Sequence, residues 1–279
     1  MTTRESIATI TRDDVRGFHA KHFTKKNLVI AFSGDVTADR ARQLAEKLLS
    51  RLPTGEAIPD PTTEPVLRTG RRLVFVDKPE RTQTQIFIGS LGTSAHDADH
   101  FSLVAADAVF GGSFTSRLMR EVRSKRGWSY GASSRLDVAR KRHWFFAHTF
   151  PAATDAAPCI ALELELLDTF VNKGISAREL SFIKKFLARS YAFEIDTASK
   201  RVQQALDIAL LDWPADYHTG YVAKIKAVEL EAANAAVRSR ILPENMQIVM
   251  VGTASQILDK VKAAIPNLDS VDVIPFDTL

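Results

Sequence analysis

The sequence predicts an α+β fold built in layers, on three observations. Strands and helices segregate along the chain instead of alternating as βαβ units. A hairpin pattern at residues 128–150 gives way to a helical pattern from 154 to 240. A short apolar strand between two helices occurs twice, once near each end of the chain. The 279 residues are 45% apolar, ample for a buried core.

Taken in order, Thr11-Arg-Asp-Asp14 reads as a capping box opening a helix that reaches about His22. Residues 28–32, Leu-Val-Ile-Ala-Phe, read as a short buried strand closed by Ser33-Gly34. A helix follows from about Thr37 to Leu49, with Ala41, Leu44, Leu48 and Leu49 on one side. Prolines 53, 59, 61 and 65 then interrupt a stretch without periodicity, a linker. Strands are expected at residues 72–77 and 82–89, and a helix from about Ala98 to Phe110, stopped by Gly111-Gly112. Ser113 or Thr115 caps another helix ending near Gly127. The hairpin turns at the basic sequence Ala139-Arg-Lys-Arg142. The long helical region breaks at Lys173-Gly174, Asp196-Thr197 and Trp213-Pro214. Residues 246–252 are a further strand and 254–264 a last helix.

The two strand signals align. Lys-Asn-Leu-Val-Ile-Ala-Phe-Ser-Gly at 26–34 matches Glu-Asn-Met-Gln-Ile-Val-Met-Val-Gly at 244–252, Asn27 standing 218 residues before Asn245. If the second copy starts near Arg71, the first starts roughly 150 residues before Met1. Residues 1–52 are then expected to be the tail of a first copy, 53–70 a linker, and 71–279 a complete second copy. A strand in such a tail lacks its own sheet partners, and its helices expose apolar faces unless a homodimer covers them.

Composition removes several function classes. The first residues lack the basic and apolar regions of a signal peptide, and no apolar run approaches the ~18 residues of a membrane span. No membrane partner is implied, and the chain as given reads as soluble. It is periplasmic if a signal peptide lies in a missing upstream region and otherwise cytoplasmic. Cys159, the only cysteine, excludes an intrachain disulfide and a cysteine metal cluster, and reads as a buried small apolar residue. Of the net charge of +4, residues 117–142 alone carry +7, from nine Lys/Arg against Glu121 and Asp137. That is either a solvated basic face or an attraction for carbonyl oxygens and acidic ligands. No stacking aromatic motif accompanies it, so nucleic acid is not an expected partner.

The window 111–131 holds the functional signal. Arg117, Arg120 and Arg123 recur every three residues, on one side of an expected helix. Gly127 suits the left-handed residue past the helix end, placing Arg123 in the last turn and Tyr130 at the entry to a strand. The guanidinium fork and the phenol hydroxyl can then meet at one spot, as donors without a base or nucleophile beside them. Such a pair suits peptide carbonyls and a tetrahedral oxyanion; an Arg partnering the helix dipole is the plainer alternative.

Residues 116–131, Ser-Arg-Leu-Met-Arg-Glu-Val-Arg-Ser-Lys-Arg-Gly-Trp-Ser-Tyr-Gly, resemble the Arg/Tyr element of M16 (pitrilysin/insulinase-like) peptidases, in which the two residues stand seven apart. Residues 23–35 resemble the strand that closes the zinc-bearing half of that family. The resemblance implies a two-layer, antiparallel-rich sheet packed against helices, as in the M16 and LuxS-like folds, with one complete half preceded by the tail of another. It implies that Arg123 and Tyr130 bind substrate and act in catalysis, Arg123 orienting the peptide backbone and Tyr130 donating to the oxyanion. None of the seven histidines begins the family's His-x-x-Glu-His pattern. No metal is therefore expected in this chain; zinc is expected in a partner or missing half. The partners implied are a peptide substrate and a zinc-bearing M16 half or subunit. An idle peptide-binding or assembly subunit is the alternative.

Other constellations are weaker. His96 and His100, spaced i and i+4, read as solvent-facing polar residues at a helix start, and His19 and His22 as surface residues. Gly111-Gly112 lacks the context of a phosphate loop. Trp128, Trp144 and Trp213 read as core or chamber lining.

Overall fold

A computed structural model describes residues 3–278. The chain forms two compact units, one of residues up to 63 together with 192–213, the other of 64–191 and 214–279.

In the smaller unit, helix α1 (Arg4–Ala8) precedes α2 (Arg12–His22), which begins with the expected capping box: Thr11 accepts from the Asp14 amide and the Asp14 carboxylate accepts from the Thr11 amide. A 3₁₀ turn (Lys25–Asn27) and α3 (Ala38–Leu49) follow. The expected strand at 28–32 does not form. Leu28 is extended, but no backbone hydrogen bond links residues 28–32 to another segment among the described residues. An apolar run becomes a strand only when another strand accepts its N–H and C=O groups, and here none does. Ile7, Ile10, Val15, Phe18, Phe23, Leu28, Val29 and Leu48 are all exposed.

In the larger unit, strands β1 (Arg71–Asp77), β2 (Gln85–Leu91), β3 (Ala132–Leu136), β4 (Trp144–Thr149), β5 (Gln247–Gly252) and β6 (Leu268–Pro275) form one sheet in the order β3-β4-β2-β5-β1-β6. The β3/β4, β4/β2 and β2/β5 pairs are antiparallel, whereas β5/β1 and β1/β6 are parallel. The sheet is thus mixed with antiparallel pairs in the majority, and the α+β layered class holds. Strand β6 is not signalled by sequence, because Asp269, Ser270 and Asp272 dilute its alternation, as befits an edge.

Alternation along each strand divides the sheet into two faces. Leu73, Phe75, Ile86, Ile88, Phe145, Ile248 and Met250 are buried in a common core. The helices that close over it are α4 (His100–Phe110), α5 (Ala156–Lys173), α6 (Ala177–Ser190), α9 (Leu230–Arg240) and α10 (Ala254–Ala264); α8 (Tyr221–Ala227) packs on α4 and α6, and α7 (Ala198–Leu211) belongs to the smaller unit. Phe110 and Phe170 stack at 4.7 Å between α4 and α5. Each such buried ring or branched side chain stabilises the fold by roughly 1.5–3 kcal/mol. Gly174 (φ +69°) ends α5 at the expected break. Beside it, the Asn234 side chain accepts from the Ile175 amide and donates to the Ile175 carbonyl, joining α9 to the α5–α6 turn.

Candidate functional site

The site is built where α4 stops. The amides of Gly111 and Gly112 both donate to the Asp107 carbonyl, turning the chain sharply. A Cβ on Gly111 would stand 2.3 Å from the Ser134 backbone nitrogen, so only glycine lets this turn lie against β3. Beneath the turn the Ser134 hydroxyl donates to the Asp107 carboxyl group. Burial, opposed by that bond, pushes Asp107 up to about 7.

After the turn the expected α-helix is instead a π-helical segment, Met119–Ser124, marked by the Lys125 amide donating to the Arg120 carbonyl. This corrects the expectation that Arg117, Arg120 and Arg123 line one side. A wider turn no longer brings every third residue into line, and the three point to different partners. Arg117 forms a bidentate pair with Glu179 at 2.8 Å and also donates to the Gly174 carbonyl. Arg120, Lys125 and Arg126 all converge on Glu121. Burial alone would raise Glu121, but hydrogen bonds from Lys125, Arg126 and Arg120 prevail and hold it at about 2. Arg142 pairs with Asp97. Much of the basic run is thus neutralised locally, and its formal charge overstates the field it projects.

Arg123 is different. Among the described residues its guanidinium has neither an ion pair nor a hydrogen bond. Its guanidinium lies 4.5 Å from the Tyr130 ring centroid and 5.2 Å from that of Phe114. Leu118 and Val122, both fully buried, anchor the segment from below. Gly127 (φ +66°) closes it with its amide donating to the Arg123 carbonyl, the left-handed position expected from sequence. Tyr130 is set from the other side. The buried Ser129 hydroxyl donates to the Gly131 carbonyl and accepts from the Phe150 amide, clipping the entry to β3 onto the end of β4. Tyr130 itself is 79% exposed. Arg123 and Tyr130 therefore meet, guanidinium over ring, and among the described residues neither the guanidinium nor the phenol hydroxyl has a hydrogen-bond partner.

Phe114 and Ser129 have no sequence signal of their own. Phe114 lies in a loop nine residues before Arg123, and Ser129 acts through a strand end twenty-one residues away. On the face of the sheet opposite the helices, Phe87, Trp144, Phe146 and Val249 line a cleft of about 650 Å³. Trp144 is accordingly a cleft residue, and Trp128 packs against the core.

His96 is exposed, but His100 corrects the solvent-facing expectation. It is fully buried, with Nδ1 bonded to Thr93 Oγ1 at 2.8 Å and Nε2 to the Tyr217 hydroxyl at 2.9 Å. Burial depresses it to about 4, and both ring nitrogens are already engaged. Among the described residues no three His, Cys, Asp or Glu side chains are grouped to hold a metal ion. The donor set present therefore does not fit zinc. Cys159 is buried, and burial pushes its thiol pKa up, the setting of an inert structural residue. No helix among the described residues is long and apolar enough to cross a membrane.

Comparison with known proteins gives a consistent picture. Residues 9–187 match the family model described as the peptidase M16 inactive domain. A non-peptidase homologue from Helicobacter pylori is 25% identical over 238 residues, 85% of this chain and 54% of the relative. An uncharacterised zinc protease of Mycobacterium tuberculosis strain H37Rv is 26% identical over 207 residues, 72% of this chain and 46% of the relative. The crystal structure of a peptidase M16 inactive domain from Pseudomonas fluorescens superposes with a TM-score of 0.80 at 26% identity, covering 89% of this chain and 59% of that one. The first half of a periplasmic protease from Escherichia coli shares the fold, with a TM-score of 0.69 at 15% identity, over 93% of this chain and 60% of that one. The chain spans about half the length of the curated relatives it matches.

Proposed function

Since this chain belongs to peptidase family M16, we propose that it acts as the non-zinc half or subunit of an M16-type zinc metallopeptidase, binding the peptide rather than the metal. The observation that carries this reading is the state of Arg123. Neighbouring cations are paired off with Glu121 and Glu179, while Arg123 is held between two exposed rings with its donors uncommitted. A planar fork of N–H groups beside one O–H group matches the carbonyl oxygens of an extended peptide. Arg123 grips the backbone in this reading. The Tyr130 hydroxyl donates to the carbonyl oxygen as it gains negative charge during hydrolysis. The phenol is fixed by the Ser129 clip and the guanidinium, so little reorganisation is needed.

A second reading, a catalytically idle peptide-binding or assembly subunit, is favoured by the name of the Helicobacter pylori relative, a non-peptidase homologue. It requires Arg123 at most for binding and gives Tyr130 no chemical task.

Binding of a fluorescent, extended peptide of about a dozen residues to the purified chain, followed by anisotropy, tests what the two readings share. Arg123→Ala is expected to weaken binding by roughly tenfold or more, equivalent to ~1.4 kcal/mol. Arg126→Ala, whose charge is spent on Glu121, stays within about twofold of the parent. Equal affinity for the parent and Arg123→Ala would remove the proposal.

A further inference from the structure

The cleft on the sheet face away from the helices is built around a glycine. Alternation along β2 sends Phe87, Gly89 and Leu91 to this face, and along β4 it sends Trp144, Phe146 and His148. Gly89 stands opposite Phe146 on one neighbouring strand and Gln247 on the other. A Cβ there would come 2.7 Å from the Phe145 carbonyl oxygen and 2.9 Å from the Phe146 Cβ. The middle of β2 is therefore bare, and the space of about 650 Å³ opens over it, within the range of small-ligand sites.

The floor is apolar. Phe87 and Phe146 lie 5.9 Å apart, and Val249 faces Phe87 across β2 and β5. Trp144, edge-on to Phe146 at 6.3 Å, is held by its indole N–H donating to Asp137 at 2.7 Å. Residues 65–68 line the cleft without a backbone hydrogen bond to the sheet among the described residues. The chain is pinned just after them, where Asn245 accepts from the Gly70 amide and Gln247 donates to the Gly70 carbonyl.

The charge lining the cleft has one sign. Among the described residues, Arg68 and Arg142 line it and no aspartate or glutamate does. Arg142 is partly spent, 3.3 Å from Asp97 and 3.9 Å from Glu64. The exposed Arg68 side chain has neither an ion pair nor a hydrogen bond among the described residues. An apolar floor beside uncompensated positive charge selects a ligand with an apolar body and an anionic end.

We infer that this cleft binds an apolar carboxylate, its aromatic or branched body on Phe87, Phe146 and Val249 and its carboxylate on the Arg68 guanidinium. The parallel N–H donors of a guanidinium match the two carboxylate oxygens. Two sources carry this chemistry: the free C-terminal residue of a peptide, and a small carboxylic acid. The site is separate from Arg123 and Tyr130. Trp144 lies six residues before Phe150, the residue clipped by Ser129, about 20 Å along an extended chain.

Calorimetric titration of the purified chain with N-acetyl-phenylalanine and with its amide tests this. The acid is expected to bind about fivefold tighter, because only the acid meets Arg68 as an anion. Arg68→Ala should bring the acid down to the affinity of the amide, and Arg123→Ala should alter neither. Quenching of tryptophan fluorescence by the ligand, lost in Trp144→Phe, locates it in the cleft. A short peptide ending in phenylalanine with a free carboxylate separates the sources. Affinity at or above that of the N-acetyl acid makes the ligand a peptide C-terminus; exclusion of the peptide while the small acid binds makes it a free acid. Equal affinities for acid and amide would overturn the inference. So would binding of neither, or a preference lost in Arg123→Ala and kept in Arg68→Ala.

Discussion

The Arg123 guanidinium lies 4.5 Å from the centroid of the Tyr130 ring, with Phe114 on another side at 5.2 Å. The contact makes each residue the positioning element of the other, because a guanidinium over a ring face keeps its donors in plane and free to reach a ligand. Ring and hydroxyl of Tyr130 therefore have separable duties.

Two substitutions at Tyr130 separate them. Tyr130→Phe keeps the ring under Arg123 and removes one hydroxyl, so peptide affinity should stay within about twofold. In an assembly with a zinc-bearing M16 half, kcat should fall by roughly 10²–10³-fold if the hydroxyl donates to the oxyanion. Tyr130→Leu removes the ring as well and should weaken peptide binding as Arg123→Ala does. Steady-state kinetics beside binding isotherms read both effects. An unchanged kcat in Tyr130→Phe would leave the idle-subunit reading standing.

Buried carboxyl groups make stability fall as pH rises. Burial raises Asp107 and Glu163 to about 7, against hydrogen bonds from Ser134 to the first and from Thr149 and Cys159 to the second. In the unfolded chain both ionise near pH 4, so between about pH 4 and 7 the folded state holds more protons. Stability from these groups is complete below pH 4, declines through that window, and levels off above it, a change on the order of a few kcal/mol. Urea unfolding from pH 5 to 8 should show a slope flattened in Asp107→Asn and in Glu163→Gln. Slopes identical to the parent would mean that neither group is held protonated.

Arg117 and Arg120 are three residues apart but should differ in consequence. Arg117→Ala leaves the Gly174 carbonyl without its donor and takes the guanidinium from Glu179, and should cost about 1–3 kcal/mol, towards the lower end because Glu179 keeps the Ser176 amide and hydroxyl as donors. Arg120→Ala, half exposed beside a Glu121 that still has Lys125 and Arg126, should change stability by less than ~0.5 kcal/mol. Thermal melts of the two variants decide the matter, and equal losses would contradict the pairing described.

Metal analysis after dialysis provides a further check. With both His100 nitrogens engaged and no three-ligand group among the described residues, the isolated chain should carry far less than one zinc per molecule and cleave no peptide. One tightly held zinc with peptidase activity would overturn the division of labour proposed.

By itself the sequence determined what is set over a few residues: the Thr11–Asp14 capping box, the glycines closing the segments at 127 and 174, and the seven-residue spacing of Arg123 and Tyr130. These depend on local backbone preference and on side chains within a turn of one another. Only the tertiary structure decided whether residues 28–32 became a strand, since ladder bonds need a partner that no local signal supplies. It also decided that β6 pairs at the sheet edge, that His100 is buried against Tyr217, and that the helix bearing the arginines opens into a π-turn. The last change sends Arg117 inward to Glu179, leaves Arg123 against Phe114 and Tyr130, and undoes the three-residue periodicity. Leu118 and Val122 of that segment pack into a core assembled from segments far apart in the chain, contacts that spacing within the window 111–131 does not encode.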